Sequence, residues 1–354
     1  MPPASSRLRR RSGLRFALAL PVLGLLAPAV AAQERLTISG GKVAIYNLAG
    51  RTSVERGTGN AVVVEVTRGG RDAARLRVEQ GPVGERATLR VVYPGDRIAY
   101  PQGNGNTELR VRDDGTFGGS GRGREGRRVR VDREGDVEAW ADLRVLVPAG
   151  IDVELRVAVG EMSARGVSAN LLLDTHSGAV TAEELRGRIR IDTGSGNVLA
   201  AGIEGELDVD TGSGDVVVRN AQVGTLGVDT GSGAVVLEGF RADALHVDTG
   251  SGGVRGGGDA EAVEVDTGSG DVALDLGARL LNVTVDTGSG SVTLGVPETY
   301  GARITLETAS GDLDVNLPLQ VVRRGQDALE GTIGDGRGRL AVDTGSGNIT
   351  VRRK

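Results

Sequence analysis

A chain of 354 residues with 58 glycines, 2% aromatic residues and no cysteine forms no disulfide and offers few rings for stacking on sugars or bases. Charge divides unevenly: residues 34–150 carry 20 Lys+Arg against 16 Asp+Glu, and residues 151–354 carry 17 against 31. So acidic a second half excludes nucleic acid as a partner.

In chain order, Arg7, Arg9, Arg10, Arg11 and Arg15 precede an apolar run from Phe16 to Leu26, and the small residues Val30 and Ala32 stand before Gln33. This predicts a secretory signal peptide over residues 1–32, the apolar run being too short to span a bilayer. The Arg pairs fit twin-arginine export less well than ordinary secretion. No later stretch is long and apolar enough for a membrane span, and there is no cysteine for a lipid anchor. The expected location is exported: periplasm, outer cell surface or extracellular.

Residues 33–142 read as a less regular β region. Alternating runs at Leu36–Ile38, Val43–Ile45, Ala61–Val66, Arg75–Val78, Thr88–Val92 and Glu108–Val111 predict short strands. The Gly/Arg-rich stretch 115–128 reads as a loop with no apolar content to bury. No segment after the apolar leader shows a sustained 3.6-residue pattern, which leaves strands and glycine turns.

From residue 143 to 354 a repeat takes over. D-T-G-S-G starts at Asp192, Asp210, Asp229, Asp248, Asp266, Asp286 and Asp343, with near copies at Asp174 and Glu307. Starts from Asp174 to Glu307 are 18 to 21 residues apart, and the final gap of 36 leaves room for one unmarked copy. A short period held this long signals stacked repeats.

With the acidic residue as position 0, positions −3 and −1 are apolar in the copies from Asp192 onward (Ile189 and Ile191, Leu226 and Val228, Leu340 and Val342), position +6 is apolar, and +8 usually is. Each repeat is therefore strand, turn, strand, connection, with one face buried. Equal repeat lengths favour parallel stacking over antiparallel hairpins, predicting an all-β, right-handed, parallel β-helix-like solenoid. About eleven coils of 18–21 residues at roughly 4.8 Å each give a rod on the order of 50 Å long.

Thr at +1, Ser at +3 and Gly at +4 are invariant among the copies, whereas His176 and Ala309 replace Gly at +2 and Glu307 replaces Asp. Parity points Thr inward and Asp outward. The expected roles are a positive-φ turn at the +4 glycine, an Asx-turn at Asp, and stacked Thr and Ser hydroxyls bonding along the corner. The competing chemistry is calcium held by Asp210, Asp215, Asp229, Asp266, Asp271 and Asp286, although the calcium-binding nonapeptide pattern is missing. V-D-T-G-S-G also matches the aspartic-protease string, but that chemistry needs two carboxylates facing each other, which a stacked row cannot supply. A polysaccharide-cleaving β-helix would draw on Arg190, Arg219 or Arg255; His176 and His246 sit at variable surface positions. Inward threonines argue against an ice-binding array. No catalytic, cofactor or metal residue is assigned, and no cofactor is expected.

The order of V-x-I-x-N-x-x-G (Val43–Gly50), VLVPAG (Val145–Gly150), repeated T-G-S-G-D/N-V and G-T-I-G-D-G (Gly331–Gly336) before the last D-T-G-S-G-N-I resembles the bacterial "putative adhesin" family with β-strand repeats, a domain of unknown function related to head-domain auto-transporter adhesins. The resemblance runs from Lys42 to Arg352 and carries no catalytic residues. It implies a secreted, non-enzymatic envelope scaffold or binding module, with envelope polysaccharide or a surface protein as partner. The sequence leaves the oligomeric state open.

Overall fold

In a computed structural model the alternation of apolar and polar residues gives strands joined by turns, and among the described residues the one helical element is a 3-10 turn, Ala73–Arg75. The structure describes residues 33–103, 106–118 and 126–354; the leader over residues 1–32 lies outside them.

Neighbouring copies pair in parallel, as equal repeat lengths predict. Strands leading into the D-T-G-S-G corner form one ladder: Asn170–Ser177, Arg186–Thr193, Glu204–Thr211 and Gln222–Thr230 pair in succession, with Asp174, Asp192, Asp210 and Asp229 in register. Strands leaving the corner form a second ladder through Val180–Glu183, Val198–Ala201, Val216–Arg219 and the start of Val235–Thr249. Residues at −3, −1 and +1 point inward from the first ladder and those at +6 and +8 from the second. Ile189, Ile191, Thr193, Val198 and Ala200 are all at most 1% exposed. A further inward residue at +11, such as Leu185, Ile203 or Phe240, fills the opposite corner.

The first correction concerns backbone handedness. The +4 glycines do not have positive φ; the left-handed residues stand at +10, on the opposite corner, as Glu184 (φ 55), Gly202 (φ 65), Asn220 (φ 51) and Gly239 (φ 71). What requires glycine at +4 is proximity. A Cβ on Gly196, Gly214, Gly233, Gly252 or Gly270 would lie 1.8–1.9 Å from the carbonyl oxygen of the corresponding glycine one coil earlier. No side chain survives that contact, whatever its torsions.

The ladders cross from the irregular region into the repeats without a break. Lys42–Ala49 pairs with Asp152–Val159 and Thr52–Arg56 with Met162–Arg165, both parallel. Gly50 thereby takes a corner position, with Gly160 stacked on it. Asn47, in the slot that threonine fills elsewhere, is fully buried and donates to the carbonyls of Ala49 (3.0 Å) and Ala141 (2.7 Å). The Tyr93 hydroxyl donates to Asn47 Oδ1 at 2.8 Å, and burial raises the Tyr93 pKa.

Each predicted N-terminal run lies in a strand except the start of the fourth, where Arg75 closes the 3-10 turn before Arg77–Val83. The stretch 115–128 differs from its expectation. Phe117 is buried and meets Tyr46 edge-on at 5.6 Å, and Arg127–Asp132 is a strand of a four-stranded sheet with Arg97–Ala99, Thr107–Val111 and Val137–Glu138. Residues 119–125 lie outside the described residues. A single aromatic among glycines is enough to anchor this stretch to the core.

At the other end the stack is out of chain order. Gly338–Thr344 lies between Asn282–Thr287 and Ala302–Thr308, parallel to both, and Ile349–Arg353 lies between Val292–Val296 and Leu313–Asn316. The antiparallel pair Leu319–Arg324 and Ala328–Ile333 closes the first ladder beyond Ala302–Thr308. The 36-residue gap thus holds a closing hairpin where the period left room for another copy.

Placing a side chain at the crowded corner is expected to be severe: Gly233→Ala should cost about 4 kcal/mol or more in urea unfolding. Ser232→Ala, one residue away and exposed, should stay within about 0.5 kcal/mol.

Candidate functional site

The repeated corner is the feature most suggestive of function, and its parts divide between holding coils together and facing solvent. The Thr211 hydroxyl accepts the Gly214 N–H at 3.1 Å and donates to the Gly196 carbonyl, one coil earlier, at 3.3 Å. Thr193, Thr230, Thr267 and Thr287 repeat both bonds. Each of these five buried hydroxyls therefore satisfies one donor in its own coil and one acceptor in the preceding coil, which commits both its proton and a lone pair to the stack.

The serines are a second correction. Ser195, Ser213, Ser232, Ser251, Ser269 and Ser289 are exposed and stand outside the hydroxyl ladder. Nor does Asp at position 0 form an Asx-turn: the +2 glycine N–H binds a neighbouring coil instead, as Gly194 does to the Thr175 carbonyl at 3.1 Å. The side chain that bonds backbone at the corner is at +5. Asn197 Oδ1 accepts the Asp215 N–H at 3.0 Å, Asp215 Oδ1 that of Ala234 at 2.9 Å, and Asp271 Oδ1 that of Ser291 at 2.8 Å.

The position-0 carboxylates form an outward row in strict register from Asp174 to Asp286, continuing through Asp343 to Glu307. At roughly 4.8 Å, adjacent unit charges repel by about 0.9 kcal/mol even in water. Burial, reinforced by Asp192 and Glu154 and opposed by the paired Arg156 guanidinium, pushes Asp174 up to about 6. Asp210 and Asp229 are raised by burial and then by neighbouring aspartates. Beside this row, Gly227 leaves a shallow acidic depression of about 340 Å³ between Asp208, Asp229, Asp248, Glu264 and Asp266, where His246 Nδ1 lies 3.0 Å from Glu264.

The six proposed calcium ligands are not brought to one place. Asp210, Asp229, Asp266 and Asp286 share the outward row, whereas Asp215 and Asp271 hold turn backbone. Among the described residues no three His, Cys, Asp or Glu side chains are arranged to hold a metal ion. The row also sets carboxylates side by side on one face, not opposed across a cleft. Arg190 faces Asp208 at 3.6 Å on the first ladder, Arg219 pairs with Glu238 at 2.8 Å on the second, and Arg255 is exposed on the second. His176 and His246 are exposed.

A cavity of about 610 Å³ was not legible in the sequence because it is assembled from distant segments: Arg51, Ser53, Glu65, Asp142, Arg144 and Ser163 all line it. Its charges are paired with one another apart from Asp142, whose Oδ1 accepts the Arg51 backbone N–H at 2.8 Å. Arg144 binds Glu65 (3.0 Å) and Glu55 (2.7 Å), which raises the arginine pKa and lowers that of Glu55, and Arg35 also reaches Glu65 at 3.0 Å. Ser53, Ser163 and Thr181 follow in cross-strand register, a row of hydroxyls beside the ion pairs.

This geometry defines an all-β protein of parallel stacked repeats whose motif is structural. Residues 188–352 match the Toastrack DUF4097 family, a domain of unknown function. A crystal structure of a "putative cell adhesion protein" from Clostridium sporogenes aligns over 91% of this chain and 99% of that chain at 10% identity, with a TM-score of 0.23, a likeness too weak to support fold or function. A search of curated proteins gave no significant match.

Two measurements test the corner chemistry. Thr230→Val should cost about 2–3 kcal/mol, since it leaves a buried N–H and a buried carbonyl without their partner. Between about pH 4, the ordinary aspartate value, and about pH 6, folded Asp174 holds a proton that the unfolded chain has lost, so its contribution to stability falls as pH rises through that window. Asp210→Asn and Asp229→Asn should each raise the melting midpoint at pH 7 by roughly 1–2 °C and narrow its difference from pH 5. Calcium followed by chelator should leave the midpoint unchanged.

Proposed function

We propose that this protein is an exported, non-enzymatic β-solenoid that acts as an adhesion-type binding module or scaffold of the cell envelope, with envelope polysaccharide or a surface protein as its partner. The observation that carries this reading is the use made of the motif: inward threonine, corner glycine and the +5 side chain all serve to join one coil to the next. Repetition here builds length and a regular surface, not a reaction centre.

Within this reading the solenoid is right-handed and has about eleven coils, as equal spacing and the crossover rule favour. The leader over residues 1–32 directs export, and the kinship with auto-transporter head domains belongs to the same proposal. Binding falls to the paired-charge cavity around Arg144 and its hydroxyl row. Because the Arg144 guanidinium is already satisfied by Glu55 and Glu65, a ligand rich in neutral hydroxyls suits the cavity better than a strongly charged one.

Fractionation of the native host followed by pull-down tests the proposal. The chain is expected in an exported or envelope fraction, beginning at Gln33, and to bring polysaccharide or a surface protein with it. Recovery solely from cytoplasm would overturn export, and a defined product released from a glycan panel would overturn the non-enzymatic assignment.

A further inference from the structure

The out-of-order coil at the C-terminal end has a consequence independent of any envelope role. After Val292–Val296 the chain skips one level, lays down Ala302–Thr308 and Leu313–Asn316, turns through the closing hairpin, and only then fills the vacant level with Gly338–Thr344 and Ile349–Arg353. That level is paired on both sides. The Thr344 hydroxyl donates to the Gly290 carbonyl at 2.9 Å, and the Gly347 carbonyl accepts the Thr308 hydroxyl at 3.0 Å. A Cβ on Gly347 would lie 2.1 Å from the Gly290 oxygen, and one on Gly311 would lie 2.1 Å from the Gly347 oxygen. Leu340, Val342, Ile349 and Val351 are buried between the flanking coils.

The connection into this segment is a short turn with two left-handed glycines, Gly334 (φ 54) and Gly336 (φ 66), closed by the Gly336 N–H on the Ile333 carbonyl at 3.2 Å. Beyond it the Gly338 N–H binds the Gly301 carbonyl at 2.9 Å. The hairpin strand Leu319–Arg324 is exposed along most of its length, Val322 at 76%. The segment is therefore joined to its slot by a small turn, while nearly all its contacts are made with chain far earlier in sequence.

We propose that residues 338–353 are an exchangeable insert, and that a second copy of this chain can donate the same segment to the slot between the 282–296 and 302–316 coils. The exchanged and closed forms make the same inter-coil bonds and bury the same residues. They differ in the 334–338 turn and in the entropy of association, so exchange depends on concentration. Opening requires release of one two-sided level, a local unfolding event, not loss of the whole stack.

The native chain has no cysteine, so thiols can be placed at will. Asp286 and Asp343 are exposed and directly opposed in the parallel register, a separation compatible with a disulfide. One full-length chain carries Asp286→Cys and another Asp343→Cys. They are mixed at high concentration in mild urea, returned to buffer, oxidised and separated on a non-reducing gel. A control pair combines Asp248→Cys with Asp343→Cys, since Asp248 stands on the same acidic row away from the slot.

The expected result is a covalent 286–343 heterodimer several-fold more abundant than the 248–343 control, rising with concentration. Gly334→Ala with Gly336→Ala strains the closed turn and should increase it further. Heterodimer no more abundant than the control, with the turn variant still monomeric by light scattering, would overturn the proposal. The Asp286→Cys, Asp343→Cys double variant shows by its intrachain disulfide that the closed register forms in the same preparation.

Discussion

Backbone approaches backbone at one corner of every coil so closely that only hydrogen fits on the α-carbon. The line runs from Gly50 through Gly160, Gly178, Gly196, Gly214, Gly233, Gly252, Gly270 and Gly290 to Gly347 and Gly311. This closeness puts each threonine hydroxyl within reach of two coils at once. It also holds the −3 and −1 side chains at the spacing where they close the core of their neighbours. At +2 the approach is looser: a Cβ on an interior +2 glycine such as Gly194, Gly212 or Gly231 would lie about 2.5 Å from the preceding coil's carbonyl oxygen, against 1.8–1.9 Å at +4, and His176 and Ala309 stand at +2 at the two ends of the tract.

Much of the build was legible because it follows from period and parity. Alternation around Asp192 and Asp210 is enough to place Ile189, Ile191, Leu207 and Val209 inside, and equal spacing is enough to favour parallel stacking. Threonine's inward direction followed from the same count. The glycine's role did not, because close approach between coils is a tertiary distance, while a string of Gly and Ser reads locally as a turn. The true left-handed positions at +10 hold Glu184, Gly202, Asn220 and Gly239, a mixture that shares no single letter and so left no visible repeat.

The candidate site was legible in a different proportion. The acidic row could be drawn from sequence, and register confirms it from Asp174 to Glu307. The depression beside Gly227 and the cavity around Arg144 could not be drawn. The first depends on one missing side chain in the row beside the aspartates. The second depends on Arg144 meeting Glu55 and Glu65, residues some 80 to 90 positions earlier. Charge composition by segment hid this pairing, since a region with near-balanced charge looks unremarkable whether its charges are matched or scattered.

The two ends show how a periodic stack stops. A parallel ladder leaves an unpaired edge at its last coil, and a repeat that simply ended would offer that edge to other chains. At the N-terminal end antiparallel strands intervene: Gln33–Ser39 pairs with Ala61–Gly69, and Arg77–Val83 with Arg86–Val92. At the C-terminal end the hairpin of Leu319–Arg324 and Ala328–Ile333 does the same for the first ladder. Leu313 and Val315, on the last level of the second ladder, are only half-buried although their apolar equivalents in interior coils, such as Val216, Val218, Val272 and Leu274, are covered. Switching strand direction breaks the register that a further repeat would need, so the devices that depart from the motif are those that end the ladders.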